Sequence, residues 1–305
     1  MNARWQQLLS LSMVLGPLAW GLWQWPRSPA LAGLGWGLAV VLGLLWMGLP
    51  FVLMLRVNRG DVAPRARPGQ VLRAAWRELG CAWRVFGWRQ PFRHQAVADW
   101  LPAPGAQPLP RGVVLLHGYL CNRGYWNPWL QALQARGHAC VAPTLEPAFG
   151  GIDDYAAQIE SAVQQVTQAT GRAPVLVCHS MGGLAARAWM RATPDADARV
   201  HRVITLGTPH GGTWLARSSR TANGVQMQPG GAWLQALAAQ EPPARARRFV
   251  CWYSNCDNIV FPASTAQLAG ADNRFIEGVA HLEMAFVPAV LQACLEAIAR
   301  DEGEP

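Results

Sequence analysis

From residue 111 onward, short uninterrupted apolar runs alternate with longer stretches in which apolar residues return every three or four positions. Val113-Val114-Leu115-Leu116, Pro174-Val175-Leu176-Val177 and Phe249-Val250-Cys251-Trp252-Tyr253 are runs of the first kind. Apolar residues at successive positions suit strands covered on both faces, because both sides of the pleat are then buried. The pattern predicts strands over 111–117, 138–143, 174–179, 201–207, 249–255 and 273–278, and helices over 125–136, 153–169, 182–192 and 288–300. That alternation is the mark of an α/β domain, a mostly parallel sheet flanked by helices. Residues 213–246 lack strand character and hold Gly224, Pro229, Gly230 and Gly231 beside the apolar Trp233-Leu234-Gln235-Ala236-Leu237. They are expected to form either a cap over a pocket or a plain surface insertion.

The front of the chain is patterned differently. Leu31 to Leu55 is 25 residues without a charge, more than the roughly 20 that cross a bilayer core. Residues 5–25 are also uncharged and apolar, though Gln6, Gln7, Gly16, Pro17 and Gln24 interrupt them. Residues 1–58 are therefore expected to form a transmembrane helical hairpin with spans at about 5–25 and 31–55. A signal peptide cleaved near Ala30-Leu31-Ala32 is the competing reading. At roughly 100° per residue, Leu72, Trp76, Leu79, Trp83 and Phe86 fall on one helix face, flanked by Arg73, Arg77 and Arg84. This makes 59–107 a basic, aromatic juxtamembrane linker whose helix either lies among lipid headgroups or packs on the α/β domain of residues 108–305.

Charge sharpens that division. Residues 56–93 contain nine arginines against Asp61 and Glu78, a net of +7 in a chain whose total is +8. The basic excess thus lies beside the span and nearly nowhere else, which argues against nucleic acid as a partner and for membrane lipids. Excess arginine beside a span marks the cytoplasmic side, and seven cysteines, an odd number, are compatible with a reducing compartment. Both point to a multi-pass membrane protein with its α/β domain on the cytoplasmic face.

The chemistry gathers at the carboxyl ends of the expected strands, where open α/β sheets place their sites. Cys178-His179-Ser180-Met181-Gly182-Gly183 joins an apolar strand to a helix-forming run. A serine on such a turn is exposed as a nucleophile, and the crowded backbone demands small residues two places before and after it. Gly182 meets one requirement; Cys178, small but not glycine, stands at the other. A serine hydroxyl needs a base, and the base an orienting acid. Asp257 follows the run ending at Ser254, and His281 follows Arg274-Phe275-Ile276-Glu277, giving the order serine, acid, histidine. Glu146, Asp153 and Asp154 come too early for that order, and His179 should face away from Ser180. The backbone amides of Tyr119, after His117-Gly118, and of Met181 are the candidate oxyanion donors.

With these segments the chain resembles the bacterial lipase and esterase branch of the α/β-hydrolase superfamily. The likeness runs over about residues 108–300, through His117-Gly118-Tyr119, His179-Ser180-Met181-Gly182-Gly183, Leu206-Gly207-Thr208-Pro209-His210-Gly211-Gly212-Thr213, Asp257 and His281. The resemblance implies a serine hydrolase acting on carboxylic esters, with an apolar ester or lipid as substrate and Ser180, Asp257 and His281 as triad. It implies a structural role for His210. Many larger relatives hold calcium near the histidine, but His281-Leu282-Glu283-Met284 offers no convincing ligand pair, so neither a metal nor a cofactor is expected. Acyl transfer to an acceptor other than water, a thioesterase, and an inactive membrane scaffold remain alternatives.

Overall fold

A computed structural model describes residues 2–103 and 109–300; the boundary expected at 107/108 and the tail 301–305 fall outside them. Six parallel strands form one sheet in the order β2-β1-β3-β4-β5-β6, with β1 at Val113–Leu116, β2 at Cys140–Val141, β3 at Val175–His179, β4 at Arg202–Leu206, β5 at Phe249–Ser254 and β6 at Asp272–Ile276. The four inner strands are almost wholly buried, as continuous apolar runs require when helices cover both faces. Strand β2 is shorter than its hydrophobic run because it pairs with β1 through only two residues, Cys140 and Val141. Its outer side meets Trp100 in an isolated antiparallel bridge.

Two apolar clusters fill the space on the two sides of the sheet. One gathers Leu116, Leu176, Leu184, Trp189 and Phe249; the other gathers Leu115, Val177, Trp126, Trp129 and Ile298. Consecutive residues Leu115 and Leu116 enter opposite clusters, as the twofold period of a strand dictates.

Ahead of the sheet lie α1 (Asn2–Gln24), α2 (Pro29–Val57) and α3 (Pro68–Ala82), the last continuing into a π-helical stretch at Trp83–Arg89. Of the first two, only α2 is long and apolar enough to cross a membrane. Two of the interruptions noted in residues 5–25, Gln6 and Gln7, have partners, as does Ser10. Gln6 Nε2 donates to Gln90 Oε1 and to the Leu120 carbonyl, Gln7 Nε2 to the Pro91 carbonyl and Ser10 Oγ to the Phe86 carbonyl. These contacts lay the first half of α1 against the 86–91 stretch and the loop after β1, so that half does not present a uniformly apolar surface. The last turns of α2 are also engaged, since Phe51 and Met54 pack with Val71, Ala74, Cys256, Phe261 and Ala280.

Helix α3 turns Val71, Ala74, Glu78 and Cys81 inward, and Val85 continues the row. That row sits opposite the aromatic stripe, so Leu72, Trp76 and Trp83 are exposed while Leu79 and Phe86 are half-buried. The face that packs on the α/β domain is thus the small-residue face.

The 213–246 segment is helical, with α7 at Ala222–Gln226 and α8 at Ala232–Ala239; helices α4 (Asn127–Gln134), α5 (Ala156–Thr170) and α6 (Met181–Ala192) precede it, and α9 (Pro288–Ala299) closes the fold. The segment is tied to the domain by Gln226 and Trp233 on Asp153, by Asn223 on the Ala148 carbonyl and by Glu241 on Arg187. Its Met227, Leu234 and Leu237 join the apolar cluster that contains Met181 and borders Tyr119.

Candidate active site

Ser180 sits between β3 and α6 at φ 55°, ψ −129°, a backbone conformation that costs an L-residue on the order of 1–3 kcal/mol and persists only when neighbours enforce it. They do so from three sides. The Ser180 amide donates to the Leu206 carbonyl at 2.9 Å, and Thr208 Oγ1 donates to the Ser180 carbonyl at 2.8 Å. Gly182 lies so close to the end of β1 that an added Cβ would stand 2.4 Å from the Leu116 oxygen and 2.8 Å from that of His117. Glycine at that position is a steric demand of the turn. Cys178, two places before the serine, is a fully buried thiol.

Asp257 and His281 meet directly, with His281 Nδ1 2.9 Å from Asp257 Oδ2. The other carboxylate oxygen accepts the amides of Ile259 at 3.0 Å and Val260 at 2.8 Å, which fixes the carboxylate plane. An ionised carboxylate only accepts, so the Nδ1 proton belongs to the imidazole and Nε2 keeps its lone pair. Burial alone would push the imidazolium down. The Asp257 charge, its hydrogen bond and the charge of Glu78 overcome burial and hold the His281 pKa above its ordinary value.

The serine and the pair converge on Gly207. This residue follows Leu206, to which Ser180 is bonded, and adopts φ +60°; a Cβ built on it would lie 2.8 Å from Asp257 Oδ2 and 3.1 Å from His281 Nδ1. On the other side His179 Nε2 lies 3.1 Å from the His281 carbonyl, and the two rings pack at 4.6 Å between centroids. A carbonyl only accepts, so His179 carries its proton on Nε2; burial drives its pKa well below the usual range, and it supports His281 as a neutral ring. Among the described residues no hydrogen bond joins Ser180 Oγ to His281 Nε2, a contact that often tightens only with substrate bound. Ser180, Asp257 and His281 are all nearly inaccessible to solvent.

The two amides expected to bind an oxyanion border the serine. A Cβ on Gly118 would lie 2.8 Å from Ser180 Cβ, which places the residue before Tyr119 against the nucleophile. Among the described residues neither the Tyr119 nor the Met181 amide donates a hydrogen bond, and Met181 opens α6, whose amino end carries partial positive charge. His117 holds the loop: Nε2 accepts the Leu145 amide and Nδ1 faces the Gly118 carbonyl at 2.9 Å each, and burial lowers its pKa to about 4.

The other candidates take different places. His210 Nε2 contacts Thr205 Oγ1 and Cys251 Sγ, with Arg187 beside it, away from Asp257 and His281. Asp153 pairs with Arg191, Asp154 accepts the Gly151 amide, and the Glu146 backbone N–H and carbonyl bond to the Gln158 side chain. No cluster of metal-ligating side chains occurs among the described residues. A cleft lined by Gln164, Thr167, Ala173 and Arg199 opens at the amino ends of the strands, opposite these groups.

One functional-site neighbour escapes a reading of the sequence. Glu78 of α3 is buried, and its two oxygens accept the amides of Leu282 and Glu283, the residues that follow His281. Its spacing with Val71, Ala74, Cys81 and Val85, three or four residues apart, is the signal that marks it as inward-facing.

A family model described as alpha/beta hydrolase family matches residues 113–299. The chain belongs to the alpha/beta hydrolase family. Among solved structures, the mature form of Bacillus licheniformis lipase BlEst2 superposes with a TM-score of 0.56 at 19% identity, over 65% of this chain and 96% of that one. Aspergillus fumigatus lipase B does so with a TM-score of 0.57 at 17% identity, over 68% of this chain and 57% of that one. At such identities the likeness establishes the fold. No curated protein sequence matches this chain.

Proposed function

We propose that this alpha/beta hydrolase cleaves carboxylic esters of apolar acyl groups through an acyl-enzyme on Ser180, with His281 as general base and acid and Asp257 as its orienting carboxylate. The observation that carries the proposal is the convergence on Gly207, where a strained serine turn leans on one end of the same short segment that abuts the Asp257–His281 pair. Ser180 Oγ attacks the ester carbonyl carbon and its proton passes to His281 Nε2. The amides of Tyr119 and Met181 receive the developing oxyanion. The bond to the alcohol oxygen then breaks, the alcohol leaving with the proton from His281. Water, deprotonated by the same imidazole, attacks the acyl carbon and releases the acid and the free serine. Two lipases among the structural neighbours are consistent with ester substrates.

The N-terminal apolar helix, by length and composition a membrane anchor or a signal sequence, is read here as an anchor. Supporting this, Phe51 and Met54 of α2 pack with Cys256 and Ala280, neighbours of Asp257 and His281, so losing the helix would open that packing. The exposed Leu72, Trp76 and Trp83 beside Arg73, Arg77 and Arg84 suit contact with membrane lipids. In this view residues 1–58 anchor, 59–107 lie at the bilayer surface, 108–305 catalyse on the cytoplasmic side, and 213–246 cap the site.

Hydrolysis of short- and long-chain nitrophenyl esters by the detergent-solubilised full chain tests the reaction. Ser180→Ala is expected to abolish it with folding intact, and undiminished hydrolysis in that variant rejects the assignment.

A further inference from the structure

Glu78 is an acidic side chain on an otherwise apolar face. Its neighbours on the inward row of α3 are Val71, Ala74 and Cys81, and Glu78 itself is only 1% exposed. A carboxylate brought into such surroundings without hydrogen bonds would cost several kcal/mol, so its partners explain its presence. They are two backbone amides, Leu282 N–H to Oε1 at 2.9 Å and Glu283 N–H to Oε2 at 3.1 Å, both more than 200 positions away in sequence. These amides begin the short helical turn that leads away from His281. Among the described residues no arginine pairs with Glu78; the titratable groups facing it are His281, Asp257, Glu283, Cys81 and Tyr125. Helix α3 lies outside residues 113–299, the part matched by the family model.

We propose that Glu78 is a positioning residue for His281, clamping the backbone that follows the imidazole and adding a second negative charge behind it. The inference rests on His281 being the general base. Asp257 holds the ring through Nδ1, while Glu78 holds the loop that carries the ring, and both charges favour the imidazolium formed during acyl transfer. A displacement of the base by an ångström can cost on the order of a hundredfold in rate. The linker next to the apolar helix α2 thereby becomes part of the machinery that sets the base. Burial works against that charge and pushes the Glu78 pKa up to about 7, while the two amides and the charge on His281 pull it back down.

The test is steady-state hydrolysis of a nitrophenyl ester by full-length Glu78→Gln in detergent, across pH 5 to 9, with thermal unfolding as the measure of folding. The amide puts a donor NH2 where one of the two accepting oxygens stood, and carries no charge. The expected result is a fall in kcat of about tenfold or more, KM within about twofold of wild type, and an acid limb of kcat/KM displaced to lower pH, since loss of a negative neighbour lowers the imidazole pKa. A purely structural tie would leave that limb where it is. Folded Glu78→Gln with wild-type kcat and an unmoved limb overturns the inference. If Glu78→Gln does not fold, Glu78→Asp decides: it keeps the charge with a shorter reach, so kcat should fall with the limb unmoved, and wild-type kcat overturns the inference. Fluorophosphonate labelling of the wild-type protein, run alongside with Ser180→Ala, separates the two levels. Absence of labelling at Ser180 rejects the hydrolase mechanism itself, whereas normal labelling with an unaffected Glu78→Gln rejects only the role of Glu78.

Discussion

His281 Nδ1 lies 2.9 Å from Asp257 Oδ2, with both side chains buried. The contact settles which imidazole nitrogen is protonated and leaves the other free to accept a proton. In Asp257→Asn the shape is kept but the acceptor is partly replaced by a donor, so the ring is held in the wrong tautomer. Such a change in a serine hydrolase lowers kcat by about 10⁴-fold. A fall of that order with little change in unfolding temperature is expected, measured by initial rates on a nitrophenyl ester.

The same pair sets a pH dependence. In the proposed mechanism His281 must be neutral to act as base, and its pKa is held above the usual histidine value by Asp257 and Glu78 against burial. The acid limb of kcat/KM is therefore expected to have its midpoint above 6.5, with activity rising through it. Stability should move oppositely. Both His281 and Glu78 have raised folded-state values, so the native chain holds protons that the unfolded chain releases. Their contribution is complete below the unfolded values and is lost as pH climbs through the folded ones. For Glu78, raised from 4.5 to about 7, the loss is on the order of 3 kcal/mol between those limits. Unfolding temperature in detergent should decline from pH 5 to 8, and less so in Glu78→Gln.

Much of this was legible in the sequence, and what was not has identifiable causes. Strands β3, β4 and β5 lie within two residues of their predicted bounds because a strand buried on both faces has no polar interruption to blur its ends. Strand β2 shrank because edge pairing, which depends on a neighbour, decides its length. The sequence order of Ser180, Asp257 and His281 pointed to a contact between the last two because each follows a strand of one parallel sheet. Glu78 was hidden in a stretch of arginines, where an acid reads as a solvated partner; its amides are more than 200 residues away. The glutamines of α1 were likewise visible only as blemishes in an apolar run, since their partner carbonyls, Leu120 and Pro91, lie 114 and 84 positions away.

Arg187 on α6 is nearly inaccessible and pairs with Glu241, just beyond α8, at 2.9 and 2.6 Å. Removing one partner of a buried pair leaves an uncompensated charge and typically costs about 3–5 kcal/mol. Glu241→Ala is expected to lower stability by that order and to speed amide hydrogen exchange across 222–241 before it affects the sheet. Exchange unchanged in that segment would show that it is held by its apolar contacts alone.

The central claim is that Ser180 is the nucleophile. Treating the full-length protein with a fluorophosphonate and mapping the adduct by mass spectrometry tests it most directly. The adduct is expected on Ser180, absent in Ser180→Ala and strongly slowed in His281→Ala. An adduct on another residue, or none on a wild-type protein that still hydrolyses esters, would contradict the account.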